Sequence, residues 1–126
     1  MNRDTIVVGI PVSLTGQFSS QGVQTLYGVR CWVEDTNSRG GLCLADSDKP
    51  RAIRLIHYDD ESKPSVAQSV TRKLITDDKV DLLLGPYSSS LTLAAASVAE
   101  EYGKVLWNQG GASDEIYRKG FKSVVG

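Results

Sequence analysis

The chain has 126 residues, 14 Lys+Arg against 15 Asp+Glu and a net charge of -1, which is about one domain without the basic stripe that a nucleic-acid or anionic-membrane surface needs. No apolar run reaches the roughly 20 residues of a membrane span. The start, "MNRDTIVVG", lacks the long apolar stretch of a secretory leader, so a soluble, unprocessed chain is expected and the natural compartment stays open.

Apolar, β-branched runs alternate with helix-like segments along the chain. "TIVVGIPV" (5 to 12) predicts the first strand, and the loop "SLTGQFSSQG" (13 to 22) follows it. Gly22, Leu26, Val29, Val33 and Thr36 recur at helical spacing, and "NSRGG" (37 to 41) supplies glycines that end the first helix. Cys31 and Cys43 form no CxxC pair and have only His57 to join them, so no metal site is expected. A disulfide between them needs their α-carbons within about 7 Å; two free thiols is the simpler expectation. "GLCLADSDKPR" (41 to 51) is a polar insertion, with residues 42 to 51 expected to be exposed.

"AIRLIHY" (52 to 58) predicts the second strand and holds His57, which as a lone histidine reads as structural; Asp59 and Asp60 after it read as solvated loop carboxylates. The second helix begins at Pro64, with Val66, Val70 and Leu74 on one stripe and Arg72 and Lys73 on its polar face. "VDLLLG" (80 to 85) predicts the third strand, whose Leu82, Leu83 and Leu84 suggest burial on both faces. The third helix runs from the serines near 88 to 90 to Tyr102, with Leu91, Ala95, Val98 and Tyr102 on one stripe and Gly103 ending it. "KVLWN" (104 to 108), a short helix over 114 to 119 and "KSVVG" (122 to 126) complete the order, with Trp107 expected in the core.

This order predicts an α/β fold: a doubly wound parallel sheet of flavodoxin-like order 2-1-3-4-5, flanked by helices in three αβα layers. Strands one and three are then neighbours whose following loops diverge, and ligands of such sheets bind in that crevice, beyond the carboxyl ends of the strands. The loops over 13 to 21, 85 to 90 and 108 to 113 surround it, each leading to a helix whose free N–H groups favour an anion.

Several chemistries can be weighed there. "SLTGQF" partly resembles the hydroxyl-rich phosphate loop of flavodoxins, but Phe18 replaces a hydroxyl and no basic residue lies between Ser13 and Leu26. An FMN-binding electron carrier is the alternative of a different class. No GxGxxG follows the first strand, so dinucleotide binding is weaker still. A receiver-type phosphoacceptor needs acidic residues where Ser13 and Gly85-Pro86 stand. No nucleophile, histidine and carboxylate assemble into a triad, so an enzyme is not expected. What remains is recognition of a small polar or zwitterionic molecule without a cofactor. In "GPYSSSLT" (85 to 92) the serines either offer hydroxyls and helix N–H groups to a carboxylate or merely cap the helix.

Four stretches in order, "VVGIPVSLTGQFSSQG", "GVRCWVEDTNSRGGL", "IRLIHYDDESKP" and "LLLGPYSSSLTLAAASVAEEYGKVLWNQGGASDEI", resemble the solute-binding proteins of branched-chain amino acid ABC transporters, type I periplasmic binding proteins of the Leu/Ile/Val kind. The resemblance implies that residues 1 to 126 are the N-terminal lobe of a two-lobed protein and carry half of a ligand site. It implies that Ser89 binds the ligand α-carboxylate with Ser88 and Ser90 beside it, and that the Gly110 carbonyl takes the α-ammonium. Ala112 stands where the family has a threonine, and Ser113 is the candidate replacement for its hydroxyl. Gln21 stands in place of an aromatic residue near the ligand side chain, while Tyr87 and Trp107 could wall the pocket. Ser62 and Ser88 occupy positions that often form a family disulfide, so that bridge is absent.

The implied function is binding of an amino acid or related amide, in the periplasm or otherwise outside the cytoplasm, for delivery to an ABC permease. The alternative within the same fold is the ligand-sensing domain of a regulator or receptor kinase. The strand edge and helix faces left bare by a single lobe suggest a homodimer as one form of association.

Overall fold

The computed structural model describes residues 5 to 45 and 49 to 126. The elements follow the expected alternation: β1 (Thr5–Val12), α1 (Ser19–Ser38), β2 (Ala52–Asp59), α2 (Pro64–Thr76), β3 (Leu82–Leu84), α3 (Ser89–Tyr102), β4 (Leu106–Trp107), α4 (Glu115–Arg118) and β5 (Val124–Val125). The five strands form one sheet in the order β2-β1-β3-β4-β5, and every pairing is parallel. This is the doubly wound order expected from the sequence. The β1 and β2 strands run in register from Thr5 opposite Ala52 to Val12 opposite Asp59, so their following loops leave the sheet side by side.

A central strand covered on both faces must be apolar throughout, and β1 is buried from Ile6 to Val12. On one face α2 and α3 close over a core of Val7, Leu74, Ile75, Val80, Leu83, Ala95, Val98, Ala99 and Leu106. On the other, α1 seals Ile10, Val12 and Leu26 with Val29 and Leu55. The buried stripe of α2 is Ala67, Thr71, Leu74 and Ile75. Val66 and Val70 are only half-buried, so the expected stripe is rotated about one position, because α2 packs against α3 as well as the sheet. Tyr102 departs from the expected stripe of α3 and is exposed in its last turn.

Asn37 explains how α1 is anchored to the sheet edge. Its side-chain amide donates to the Ile53 carbonyl at 2.9 Å and accepts from the Ile53 N–H at 2.8 Å, so it pairs with β2 as a neighbouring strand would. Within the insertion, Leu42 and Arg51 exchange two backbone hydrogen bonds of 2.8 and 2.9 Å, and Leu44 packs on the cluster of Ile6, Val8 and Ile53. The excursion is therefore pinned at its ends, and its described residues are largely exposed; residues 46 to 48 lie outside the described residues. Cys31 and Cys43 are free and exposed.

Two expectations about burial fail for one reason. The α1 helix covers β1 and β2, and no described element covers the same face of β3 and β4. Leu82 and Leu84 are consequently half-buried instead of enclosed on both sides, and Trp107 is 50% exposed. Together with Thr25, Gly28, Val29, Trp32 and Gln109 they line an uncharged groove of about 620 Å³. Trp107→Gln is accordingly expected to change the stability of this chain by less than about 1 kcal/mol, where a core tryptophan would cost about 3 to 5 kcal/mol. Urea denaturation followed by circular dichroism checks this.

Candidate functional site

Four loops leave the carboxyl ends of β1, β2, β3 and β4 and meet at the crevice between β1 and β3. The first is not the free hydroxyl-rich loop that its composition suggested. The Asp59 carboxylate accepts from the N–H groups of Leu14 at 2.9 Å and Thr15 at 3.3 Å, and from the Thr15 hydroxyl at 2.7 Å. Ser13 donates its hydroxyl to Asp60 at 2.6 Å. The Ser62 hydroxyl donates to the Thr15 carbonyl at 2.8 Å and accepts from the Phe18 N–H at 3.0 Å. The two loops come this close because Gly16, at φ +86°, has no β-carbon; one built there would lie 2.7 Å from the Glu61 carbonyl oxygen.

Asp59 and Asp60 are therefore not the solvated carboxylates expected from the sequence. Asp60 is fully buried, and both staple the wall of the crevice. The Ser13 and Thr15 hydroxyls face these carboxylates, which is the wrong electrostatic surrounding for the FMN phosphate weighed above. Phe18 turns its ring toward Ala67, Leu91 and Ala94 and lies 5.6 Å, centroid to centroid, from the Tyr87 ring. Tyr87 thus joins the first wall to the third loop. Gln21 is exposed on the first turn of α1.

The third and fourth loops meet around Ser89. Its hydroxyl oxygen accepts from the N–H of Ala112 at 3.1 Å and of Ser113 at 3.0 Å. Those two bonds use the oxygen's acceptor capacity and leave its proton to donate elsewhere. Ser88 caps α3 by accepting from the Leu91 N–H at 3.3 Å, and its hydroxyl lies 3.4 Å from that of Ser90. Ser88 holds φ +79° and ψ 152°, a region populated almost only by glycine and costing a non-glycine residue of order 1 to 3 kcal/mol. Such strain collects at ligand clamps, and nothing in the serine run itself announces it.

The structure brings Ser88, Ser89, Ser90, Tyr87, Gly110, Ala112 and Ser113 into one cluster, with Tyr87 and Gly110 forming a parallel bridge. The organising residue that the sequence reading passed over is Asn108. Nearly buried, it donates to the Gly111 carbonyl at 2.9 Å and the Tyr117 hydroxyl at 2.8 Å, and accepts from the Gly111 N–H at 2.8 Å. Gln109 ties the same loop to the Gly85 carbonyl at 2.6 Å. A polar amide directly after an apolar strand was the available signal. His57 sits opposite Ile10 in the sheet, in a separate shallow groove with Arg30, Val33, Glu34 and Leu55. Burial, then the Arg30 guanidinium, push its pKa below the ordinary value, so it is a neutral strand residue at pH 7. Among the described residues no group of three His, Cys, Asp or Glu is placed to hold a metal ion, and no helix is long and apolar enough to cross a membrane.

Known proteins share this fold. The model of the family described as periplasmic binding protein matches residues 5 to 124. An amino acid binding protein of Pseudomonas aeruginosa is 29% identical over 119 residues, 94% of this chain and 30% of its own length. A leucine-, isoleucine-, valine-, threonine- and alanine-binding protein of the same organism is 27% identical, over 98% of this chain and 31% of its own. Among solved structures, the branched-chain amino acid transporter substrate-binding protein LivJ of Streptococcus pneumoniae, in complex with isoleucine, superposes with a TM-score of 0.84 at 28% identity, covering 95% of this chain and 32% of that one. A solute-binding protein of an ABC transporter from R. palustris, in complex with benzoate, gives 0.73 at 29%, covering 89% and 29%. The chain thus spans about a third of the length of these relatives. With the family match running from β1 into β5 and the fold shared with the solved structure, the chain belongs to the periplasmic binding protein family.

Proposed function

We propose that this chain is one ligand-binding lobe of a solute-binding protein that works outside the cytoplasm with an ABC permease, and that it takes a small solute bearing a carboxylate, an amino acid or related amide. One observation carries the reading. Ser89 accepts two backbone N–H groups, so its hydroxyl can only donate toward a ligand, and it does so at the N-terminus of a 14-residue helix, where an anion is favoured. The names of the relatives support the class: the pneumococcal protein holds isoleucine and the R. palustris protein holds benzoate, which share a carboxylate and differ in everything else. The reading assigns binding without catalysis, because His57 lies in its own groove on the sheet. The other lobe would supply the ammonium partner and most of the side-chain pocket, so this chain binds weakly by itself.

The test is a titration of the isotopically labelled chain with isoleucine, and separately with 2-methylbutylamine, which lacks only the carboxylate. The expected result is movement of the Ser89, Ser90, Ala112 and Ser113 amide signals with isoleucine and none with the amine. Equal movement with both, or none with either at saturating solute, overturns the carboxylate assignment.

A further inference from the structure

The strongest feature outside the serine cluster is the pair Asp59 and Asp60, adjacent in sequence and unlike in surroundings. Asp59 is partly exposed and accepts four hydrogen bonds, those from Leu14 and Thr15 described above and one from the Glu61 N–H at 2.8 Å. Asp60 is fully buried and accepts two, from Ser13 at 2.6 Å and from the Ser62 N–H at 2.9 Å, both on Oδ1. Its Oδ2 is buried with no hydrogen-bond partner among the described residues. Each carboxylate thus closes a turn onto the residue two ahead and reaches across to the loop after β1.

We propose that both are positioning residues for the first wall of the binding crevice, and that Asp59 does this by its charge while Asp60 does it by its shape alone. The crevice's role as a binding site rests on the function proposed above; the positioning of the loop does not. An anion that receives four donors is stabilised as an anion, whereas an anion with one bare, buried oxygen beside a second carboxylate is not. The charged neighbours of Asp60 are Asp59, Glu61 and Lys63 of its own loop, with the Lys63 ammonium 4.0 Å from Glu61. Residues 13 to 26, which carry the facing loop and the start of α1, contain no titratable side chain, and those of α2 are Arg72, which pairs with Glu101, and Lys73, which lies over the Tyr58 ring.

The titration directions agree with that division. Burial pushes the Asp59 pKa up, but the hydrogen bonds from the Thr15 side chain and from the Glu61, Leu14 and Thr15 N–H groups together bring it below the ordinary 3.8. Its contribution to stability is therefore present above about pH 4 and lost as pH falls through its folded value. Burial raises the Asp60 pKa, with Asp59 adding to the rise, against hydrogen bonds from Ser13 and Ser62. Its folded form keeps its proton to higher pH than the unfolded form does, so its contribution falls as pH rises through its folded value.

The test compares Asp59→Asn, Asp60→Asn and Asp60→Ala in this chain by urea denaturation across pH 3 to 8 and by amide exchange at Leu14, Thr15 and Phe18. Asp59→Asn is expected to speed exchange at Leu14 and Thr15 by about tenfold or more, the worth of a charge-assisted hydrogen bond, and to flatten the acid limb of stability. Asp60→Asn keeps the Oδ1 acceptor, so exchange stays within about twofold of the parent and the decline toward neutral pH disappears, while Asp60→Ala loses protection at Phe18. Should Asp59→Asn not fold, Thr15→Val removes one of its donors and is expected to speed exchange at the same amides. The proposal is overturned if Asp60→Asn is as damaging as Asp60→Ala, or if neither Asp59→Asn nor Thr15→Val alters Leu14 and Thr15. These amides report the loop whether or not isoleucine binds, so failure here and failure of the binding assignment are read separately.

Discussion

Replacing Gly22 with alanine is expected to cost this chain about 3 kcal/mol or more and to lower its melting temperature by about 10 °C or more. The first turn of α1 crosses Ser13 so closely that a β-carbon on Gly22 would overlap the Ser13 carbonyl group. The obstacle is backbone, so no rotamer change relieves it. Ser13 itself cannot give way, being fully buried with its hydroxyl on Asp60. The remaining response is to lift α1 off the sheet, which separates Leu26 from Ile10 and Val12. Gly28 on the same helix is the internal control. Nothing lies within 4 Å of its would-be β-carbon, so Gly28→Ala is expected to be neutral or to stabilise by about 0.5 to 1 kcal/mol through helix propensity. Thermal unfolding of the two variants beside the parent decides the matter, and equal effects from both would overturn the crossing.

The contrast between these glycines marks what was legible beforehand. Periodicity placed the strand runs and helices, because burial on both faces of a parallel sheet demands the apolar run of β1, and because Pro64 and Gly103 mark helix ends. Periodicity says nothing of what lies across the chain. Gly22 looked like one member of a helical stripe, and only the crossing shows why it has no side chain. Asp59 and Asp60 looked like loop carboxylates because their partners across the crevice, Ser13, Leu14 and Thr15, are more than forty residues away. Trp107 looked like core because it sits in a strand, yet strand membership does not decide which face a helix covers. The serine run was visible from composition, whereas the role of Ser89 depends on the N–H groups of Ala112 and Ser113, brought to it by Asn108 and by the β3–β4 pairing.

On the proposed function, Ser89→Ala is expected to weaken binding of isoleucine by about 1.5 to 3 kcal/mol, roughly 10- to 150-fold, with little change in folding stability. The separation of the two effects follows from the geometry. Without ligand the alanine frees the N–H groups of Ala112 and Ser113, but Ala112 is exposed and Ser113 half-exposed, so water replaces the lost acceptor at a cost below about 1 kcal/mol. With a carboxylate seated at the head of α3, the same change removes a charge-assisted donor that water, excluded by the ligand, cannot replace. A merely structural Ser89 would show the reverse, a loss of stability with unchanged affinity. Ser89→Thr keeps the hydroxyl and should recover affinity if the added methyl group fits, whereas Ser89→Cys, a weak donor, should not. Calorimetry on the variants, beside denaturation of the same samples, reads both quantities. Unchanged affinity for Ser89→Ala would remove Ser89 from the site and leave the first-turn N–H groups of α3 to hold the carboxylate.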